Sequence, residues 1–171
     1  MPDQPAPTDY ARLTPDTLLG AVESLGYVTS GQLLALNSYE NRVYQVGIED
    51  QEPLIAKFYR PDRWRDEQIT EEHHFCFELA EQELPVVAPL MDDNGESLYW
   101  CAPFRFALFP RRGGHEPDLD NPDNLFAMGR LLGRIHLVGA SKRFEHRPEL
   151  NSKSFGHASA DLISERFIPA G

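Results

Sequence analysis

The sequence predicts an α+β fold: a five-stranded antiparallel sheet with a packed helix, then a connector leading into a second, helical part. Three observations carry that expectation. Short β-like runs recur between polar links, at 32–36, 42–48, 54–59, 86–91 and 100–109. A long helical pattern at 66–83 interrupts them. After 109 the strand signals stop, and a helix pattern with its own capping residues follows.

The elements can be justified in order. Thr14-Pro15-Asp16 reads as a helix start, with a hydroxyl cap, a proline in the first turn and an acid near the positive end of the dipole. Leu18, Val22 and Leu25 follow at helical spacing, and Gly26 ends the pattern. The runs 32–36 and 42–48 flank the polar link Asn37-Ser38-Tyr39-Glu40-Asn41, and Pro53 introduces the run 54–59. Three strands joined by short links suggest an antiparallel meander. Two further strands are expected at 86–91 and 100–109, around the turn Asp92-Asp93-Asn94-Gly95. Pro110-Arg111-Arg112-Gly113-Gly114 breaks the pattern as a connector. Asp120 or Asn121 can cap a last helix with Pro122 in its first turn, an apolar stripe of Leu125, Met128, Leu132 and Ile135, and Gly129 and Gly133 beside it for close packing. Beyond Gly139 the chain is polar and weakly periodic.

Two charged side chains stand out against this framework. Lys57 lies inside the apolar run Leu54-Ile55-Ala56-Lys57-Phe58-Tyr59. Glu72 falls on the stripe of the 66–83 helix that also carries Ile69, Phe75 or Cys76, and Leu79. An unpaired charge on a buried face is costly, so each needs a partner, and each supplies the other's if the helix packs on that strand. The alternative is that both snorkel to water.

Composition removes several classes of function. A net charge of −11, from 16 basic and 27 acidic residues with no Lys/Arg-rich run, repels phosphodiester backbones, so no nucleic-acid partner is expected. Cys76 and Cys101 have neither metal-type spacing nor the number for a disulfide framework, which fits a reducing cytoplasm. No apolar run approaches the roughly 20 residues of a membrane span, so no membrane partner is expected. The start of the chain, with three prolines in its first seven residues and no basic residue, reads as a disordered tail rather than a signal peptide. Glu71-Glu72-His73-His74 with Cys76 offers no i, i+4 histidine pair, so no metal is assigned there and solvated or capping histidines are expected.

The wording of several blocks resembles a known family. Leu36-Asn37-Ser38-Tyr39-Glu40-Asn41-Arg42-Val43-Tyr44-Gln45, Lys57-Phe58-Tyr59-Arg60-Pro61-Asp62-Arg63-Trp64, Glu71-Glu72-His73 and Gly129-Arg130-Leu131-Leu132-Gly133-Arg134-Ile135-His136 resemble the bacterial stress response kinase A family, Ser/Thr protein kinases of the aminoglycoside and choline kinase-like superfamily. With the disordered tail read from composition taken as 1–12, the resemblance implies a kinase-like N-lobe at 13–109, a hinge at 110–120 and the start of an incomplete C-lobe at 121–171. It implies ATP as cofactor, held by Asn37, Ser38, Tyr39, Glu40 and Asn41 as the nucleotide loop, by Lys57 on the α- and β-phosphates with Glu72 holding the lysine, and by Leu108 and Phe109 at the adenine edge. The loop departs from the glycine-rich pattern of ordinary protein kinases, and without the family it reads equally as a polar hairpin turn.

Phosphoryl transfer also needs a positioned acceptor and a metal. The family's catalytic loop begins His-Gly-Asp, and none of the six histidines here is followed two positions later by aspartate. Asp118-Leu119-Asp120 resembles the later metal motif but precedes the last helix, where a capping turn is the better reading. No catalytic residue and no metal ligand is therefore assigned in this chain. Mg2+ ligands are expected in a missing C-lobe, and the chain is expected to be inactive alone. The expected function is the ATP-binding portion of a cytoplasmic stress-response Ser/Thr kinase whose complete form acts on a protein substrate. Alternatives are a fragment of a small-molecule kinase of aminoglycoside or homoserine type, or a non-catalytic binding module. The bare stripe of the last helix is expected to favour self-association.

Overall fold

The computed structural model describes residues 10–167. The sheet has five strands: β1 (Thr29–Leu36), β2 (Arg42–Ile48), β3 (Leu54–Phe58), β4 (Tyr99–Cys101) and β5 (Phe104–Pro110). Their order is β1-β2-β3-β5-β4, and every neighbouring pair is antiparallel. Helix α1 (Pro15–Glu23) precedes the sheet, α2 (Asp66–Glu81) lies between β3 and β4, and α3 (Pro122–Gly139) and α4 (Ala158–Phe167) follow it. Of the tail expected over 1–12, residues 1–9 lie outside those described. Tyr10–Arg12 instead form a one-turn 3-10 helix, because the Tyr10 ring stacks on Phe104 at 5.7 Å and its hydroxyl donates to the Glu40 carbonyl at 2.9 Å.

The count of five strands matches the sequence expectation, but two of them are placed differently. Residues 86–91 form no strand. Pro89 has no N–H for a ladder, and the segment touches the sheet through the Leu90 N–H donated to the Leu108 carbonyl at 2.7 Å. The single run expected at 100–109 folds instead as the β4–β5 hairpin, turning at Ala102 and Pro103. The polar end of the chain also holds structure that its weak periodicity hid. A π-helical turn (Lys153–His157) forms there, with Asn151 just ahead of it accepting the Ser154 N–H at 2.9 Å, and α4 follows directly.

Strand alternation sorts the side chains into two layers. Ala56 and Phe58 of β3, with Phe104, Phe106 and Leu108 of β5, face α1 and pack with Leu18, Val22, Val46 and Ile48 into the main core. The odd-numbered positions face the other way: Tyr59, Ala107 and Phe109 pack with Ile69 of α2. Lys57 belongs to this second face by parity, which places it under α2. Arg105, on the same face, grips Asp66 at the start of α2 through two bonds of 2.6 and 2.7 Å, which ties the helix to the sheet.

The expected start of α1 is present, with the Thr14 hydroxyl accepting the Thr17 N–H at 3.2 Å. Since α1 covers the main core, loss of this cap should reach global stability. Thr14→Ala is expected to cost about 1 kcal/mol and lower the thermal midpoint by about 2–4 °C, with Thr14→Ser close to wild type. An unchanged midpoint for the alanine variant would show that the cap contributes nothing. Helix α2 ends two residues earlier than expected: Glu83 turns to φ +55°, and the Leu84 N–H closes on the Leu79 carbonyl at 3.0 Å. Helix α3 begins at its cap Asn121, which accepts the Asp123 N–H at 2.9 Å, but no residue of α3 is buried and nothing approaches Gly129 or Gly133.

Candidate nucleotide site between the sheet and helix α2

Lys57 and Glu72 meet as their positions demanded. Lys57 Nζ lies 3.4 Å from Glu72 Oε1, with the two side chains 23% and 37% exposed, so the pair sits at an open edge and not in a sealed interior. At that exposure its own contribution to stability is small. Lys57 Nζ also lies over the Tyr59 ring at 4.6 Å and faces the Phe109 ring at 6.0 Å. An ammonium has three donors, and one is spent on Glu72, so donors remain for an incoming anion.

The stripe of α2 differs from the expected one in a consequential way. Its buried residues are Ile69, His73 and Leu79; Glu72 lies beside them. His73 was expected to be a solvated or capping histidine, yet it is 1% exposed. Its Nε2 pairs with Tyr59 Oη and its Nδ1 with Ser97 Oγ, both at 2.8 Å. A neutral imidazole meets both partners with one donor and one acceptor. Burial pushes His73 down to about 4, with Glu72 opposing and Lys57 and His74 adding to the effect. Burial, with the Glu72 charge beside it, pushes the Tyr59 phenol well above its ordinary value. Tyr59 thus stays a protonated, fixed ring beneath Lys57. This Ser97–His73–Tyr59 relay was missed, although two signals were available. Tyr59 follows Lys57 by two residues in a strand, and His73 follows Ile69 by four in a helix.

The other expected site residues fall out unevenly. Asn37, Ser38, Tyr39, Glu40 and Asn41 form the loop between β1 and β2, next to the Leu36–Val43 pair. Ser38 Oγ donates to the Asn41 carbonyl at 2.7 Å, and Asn41 Oδ1 accepts the Arg60 N–H at 3.3 Å. Glu40 binds Arg63 at 2.7 Å, whereas Tyr39 is fully exposed. Three of the five side chains, those of Ser38, Glu40 and Asn41, therefore brace the loop. Leu108 is buried in the main core, and its carbonyl already accepts the Leu90 N–H. Phe109, facing Lys57 and 6.3 Å from the His73 ring, stands at the site. Among the described residues no group of three or more His, Cys, Asp or Glu is placed to hold a metal ion.

Two further residues come from far along the chain. Arg147 Nη1 donates to Glu72 Oε2 at 2.6 Å, so Glu72 joins two cations through its two oxygens. Beside it, the Glu71 carboxylate accepts the backbone N–H groups of Glu145, His146 and Arg147. Slight burial pushes the Glu71 carboxyl up, but these three hydrogen bonds outweigh it and hold the group below its usual range. With Arg147 lying 75 positions after Glu72, no local pattern could have announced the contact.

Residues 32–164 match the model of a family described as the phosphotransferase enzyme family. Serine/threonine protein kinase RdoA of Salmonella typhimurium and stress response kinase A of Escherichia coli (strain K12) are each 43% identical over 163 residues, which is 95% of this chain and 49% of theirs. The chain thus spans about half the length of the curated relatives it matches. The solved structure of amicoumacin kinase hAmiN in complex with AMP-PNP, Ca2+ and Ami superposes with a TM-score of 0.73 at 19% identity, over 94% of this chain and 49% of that one. A microcompartment-associated aminopropanol kinase gives 0.65 at 18% identity, over 90% and 52%. At such identities the likeness is one of fold, and that fold is kinase-like. Among the described residues no helix is long and apolar enough to cross a membrane.

Proposed function

Because the chain belongs to the phosphotransferase enzyme family, we propose that it carries the nucleotide-holding part of an ATP-dependent kinase that phosphorylates protein hydroxyls. The observation that carries this reading is the Lys57–Glu72 pair at 3.4 Å on the face of the sheet under α2. A strand lysine held by a helix carboxylate is how a kinase aims an ammonium at the α- and β-phosphates. Lys57 would take the phosphates with Glu72 as its anchor, and the backbone amides of the loop Asn37, Ser38, Tyr39, Glu40 and Asn41 would close over them. Phe109 and the residues after it would meet the adenine edge, while Leu108 walls the core behind. Bound ATP supplies the phosphoryl group; these residues bind and orient it. The acceptor-activating and metal-binding groups, with Mg2+ as the expected ion, are assigned to the half of the relatives' length that this chain does not span. That half would also cover α3, where Leu125 is 50% and Leu132 53% exposed.

Protein as acceptor is supported by the 43% identity to RdoA and stress response kinase A. A small hydroxyl-bearing metabolite is the second reading, favoured by the amicoumacin and aminopropanol kinases among the structural neighbours. Incubating the full-length protein with γ-labelled ATP and Mg2+ separates them. The expected result is label on serine or threonine of a protein, whether itself or another. Label on a small alcohol or aminoglycoside alone would replace the first reading by the second, and no transfer to any acceptor would remove both.

A further inference from the structure

We propose that Arg147 is a positioning residue that holds Glu72 in the orientation from which it anchors Lys57, an inference that rests on the reading of Lys57 and Glu72 given above. The argument begins with the backbone. Glu71 accepts three consecutive N–H groups, from Glu145, His146 and Arg147, and Gln68 Nε2 donates to the His146 carbonyl at 2.9 Å. These bonds fix the 145–147 segment against the outer side of α2 whatever side chain stands at 147.

The guanidinium is then fixed separately. It lies over the Trp64 ring at 4.4 Å, and its Nη1 donates to the Gln68 carbonyl at 3.4 Å. Only after these restraints does it reach Glu72. The bond goes to Oε2 at 2.6 Å, while Lys57 uses Oε1 at 3.4 Å. The two cations do not contend for one oxygen. A carboxylate held at one oxygen by a single charge-assisted bond from a guanidinium that is itself fixed has its other oxygen aimed, and a flexible lysine then has a fixed target. The residues facing this carboxylate are Lys57 and Arg147, with Tyr59, His73 and Cys76 close enough to feel its charge.

This arrangement fastens α2 to the segment after α3 as well as to the sheet. Lys142 pairs with Glu78, and the Phe75 and Phe144 rings meet edge to face at 5.3 Å. The orientation of Glu72 therefore depends on the second part of the chain, not on the sheet alone.

A double-mutant cycle in the full-length protein tests this. Arg147→Gln is expected to lower kcat/KM for ATP about tenfold, within the range found for coupled charged neighbours, with the thermal midpoint moved by no more than a few degrees. Glu72→Gln is expected to lower it at least as much. If Arg147 acts through Glu72, the double variant is no worse than Glu72→Gln alone. Wild-type kinetics for Arg147→Gln, or losses that multiply in the double variant, would overturn the proposal and leave the nucleotide reading standing. No effect of Glu72→Gln or of Lys57→Ala would remove both. Should Arg147→Gln fail to fold, Arg147→Lys carries the test. It keeps the stem and charge but loses the planar fork, so a smaller loss is expected, again absent in the Glu72→Gln background.

Discussion

Lys57→Ala in the full-length protein is expected to reduce phosphoryl transfer from ATP by roughly 100-fold or more, the scale on which removal of one charge-stabilising donor acts on a transition state. The same change should scarcely alter folding. Lys57 is one of two cations on Glu72, and its removal leaves the carboxylate still bound by Arg147 at 2.6 Å. A buried carboxylate with no partner would be costly, but this one keeps a partner and is partly exposed. The variant should therefore unfold within a few degrees of wild type yet fail at transfer. Lys57→Arg should not rescue it, because a planar fork cannot replace a compact ammonium seated over the Tyr59 ring at 4.6 Å. Single-turnover transfer of labelled phosphate, measured beside a thermal melt, checks both halves. Wild-type transfer by Lys57→Ala would end the assignment of the site, and coincident loss of folding would reduce Lys57 to a structural residue.

What could be seen in advance follows the range of the interaction that carries it. The cap at Thr14, the strand Arg42–Ile48 and the start of α2 at Asp66 are set by neighbours within a few residues, and those were legible. The Lys57–Glu72 contact spans 15 positions and was still readable, because two misplaced charges on apolar faces can have few other resolutions. Reading the α2 stripe through Glu72 was a small error of phase with a large effect. It hid His73, whose ring, not the carboxylate, goes into the interior. The 86–91 run looked like a strand by composition alone, and Pro89 was the overlooked sign against it. Arg147 was beyond reach, since its contact depends on how the chain after α3 returns to α2.

The second large effect concerns acid stability and belongs to His73. In the folded protein it titrates at about 4, against an ordinary value of 6.5, chiefly because burial opposes the charged ring. Between those two values the unfolded chain takes up a proton that the folded chain refuses. The stabilising contribution is therefore complete above pH 6.5, declines as pH falls toward 4, and loses nothing further once the folded protein also protonates. The gap corresponds to about 3 kcal/mol at most, a large share of a typical domain's stability. His73→Gln retains a polar group for Tyr59 and Ser97 but cannot titrate. Urea unfolding of both proteins from pH 7.5 to 4 should show the wild type losing about 3 kcal/mol more than the variant across the window. Parallel curves would mean that His73 is not held neutral. The same titration bears on the site. A protonated His73 would place a second positive charge behind Tyr59, the ring beneath Lys57, but the folded protein keeps that ring neutral until pH nears 4, so transfer activity per folded molecule should hold while stability declines across the window and should fall only at its acid end.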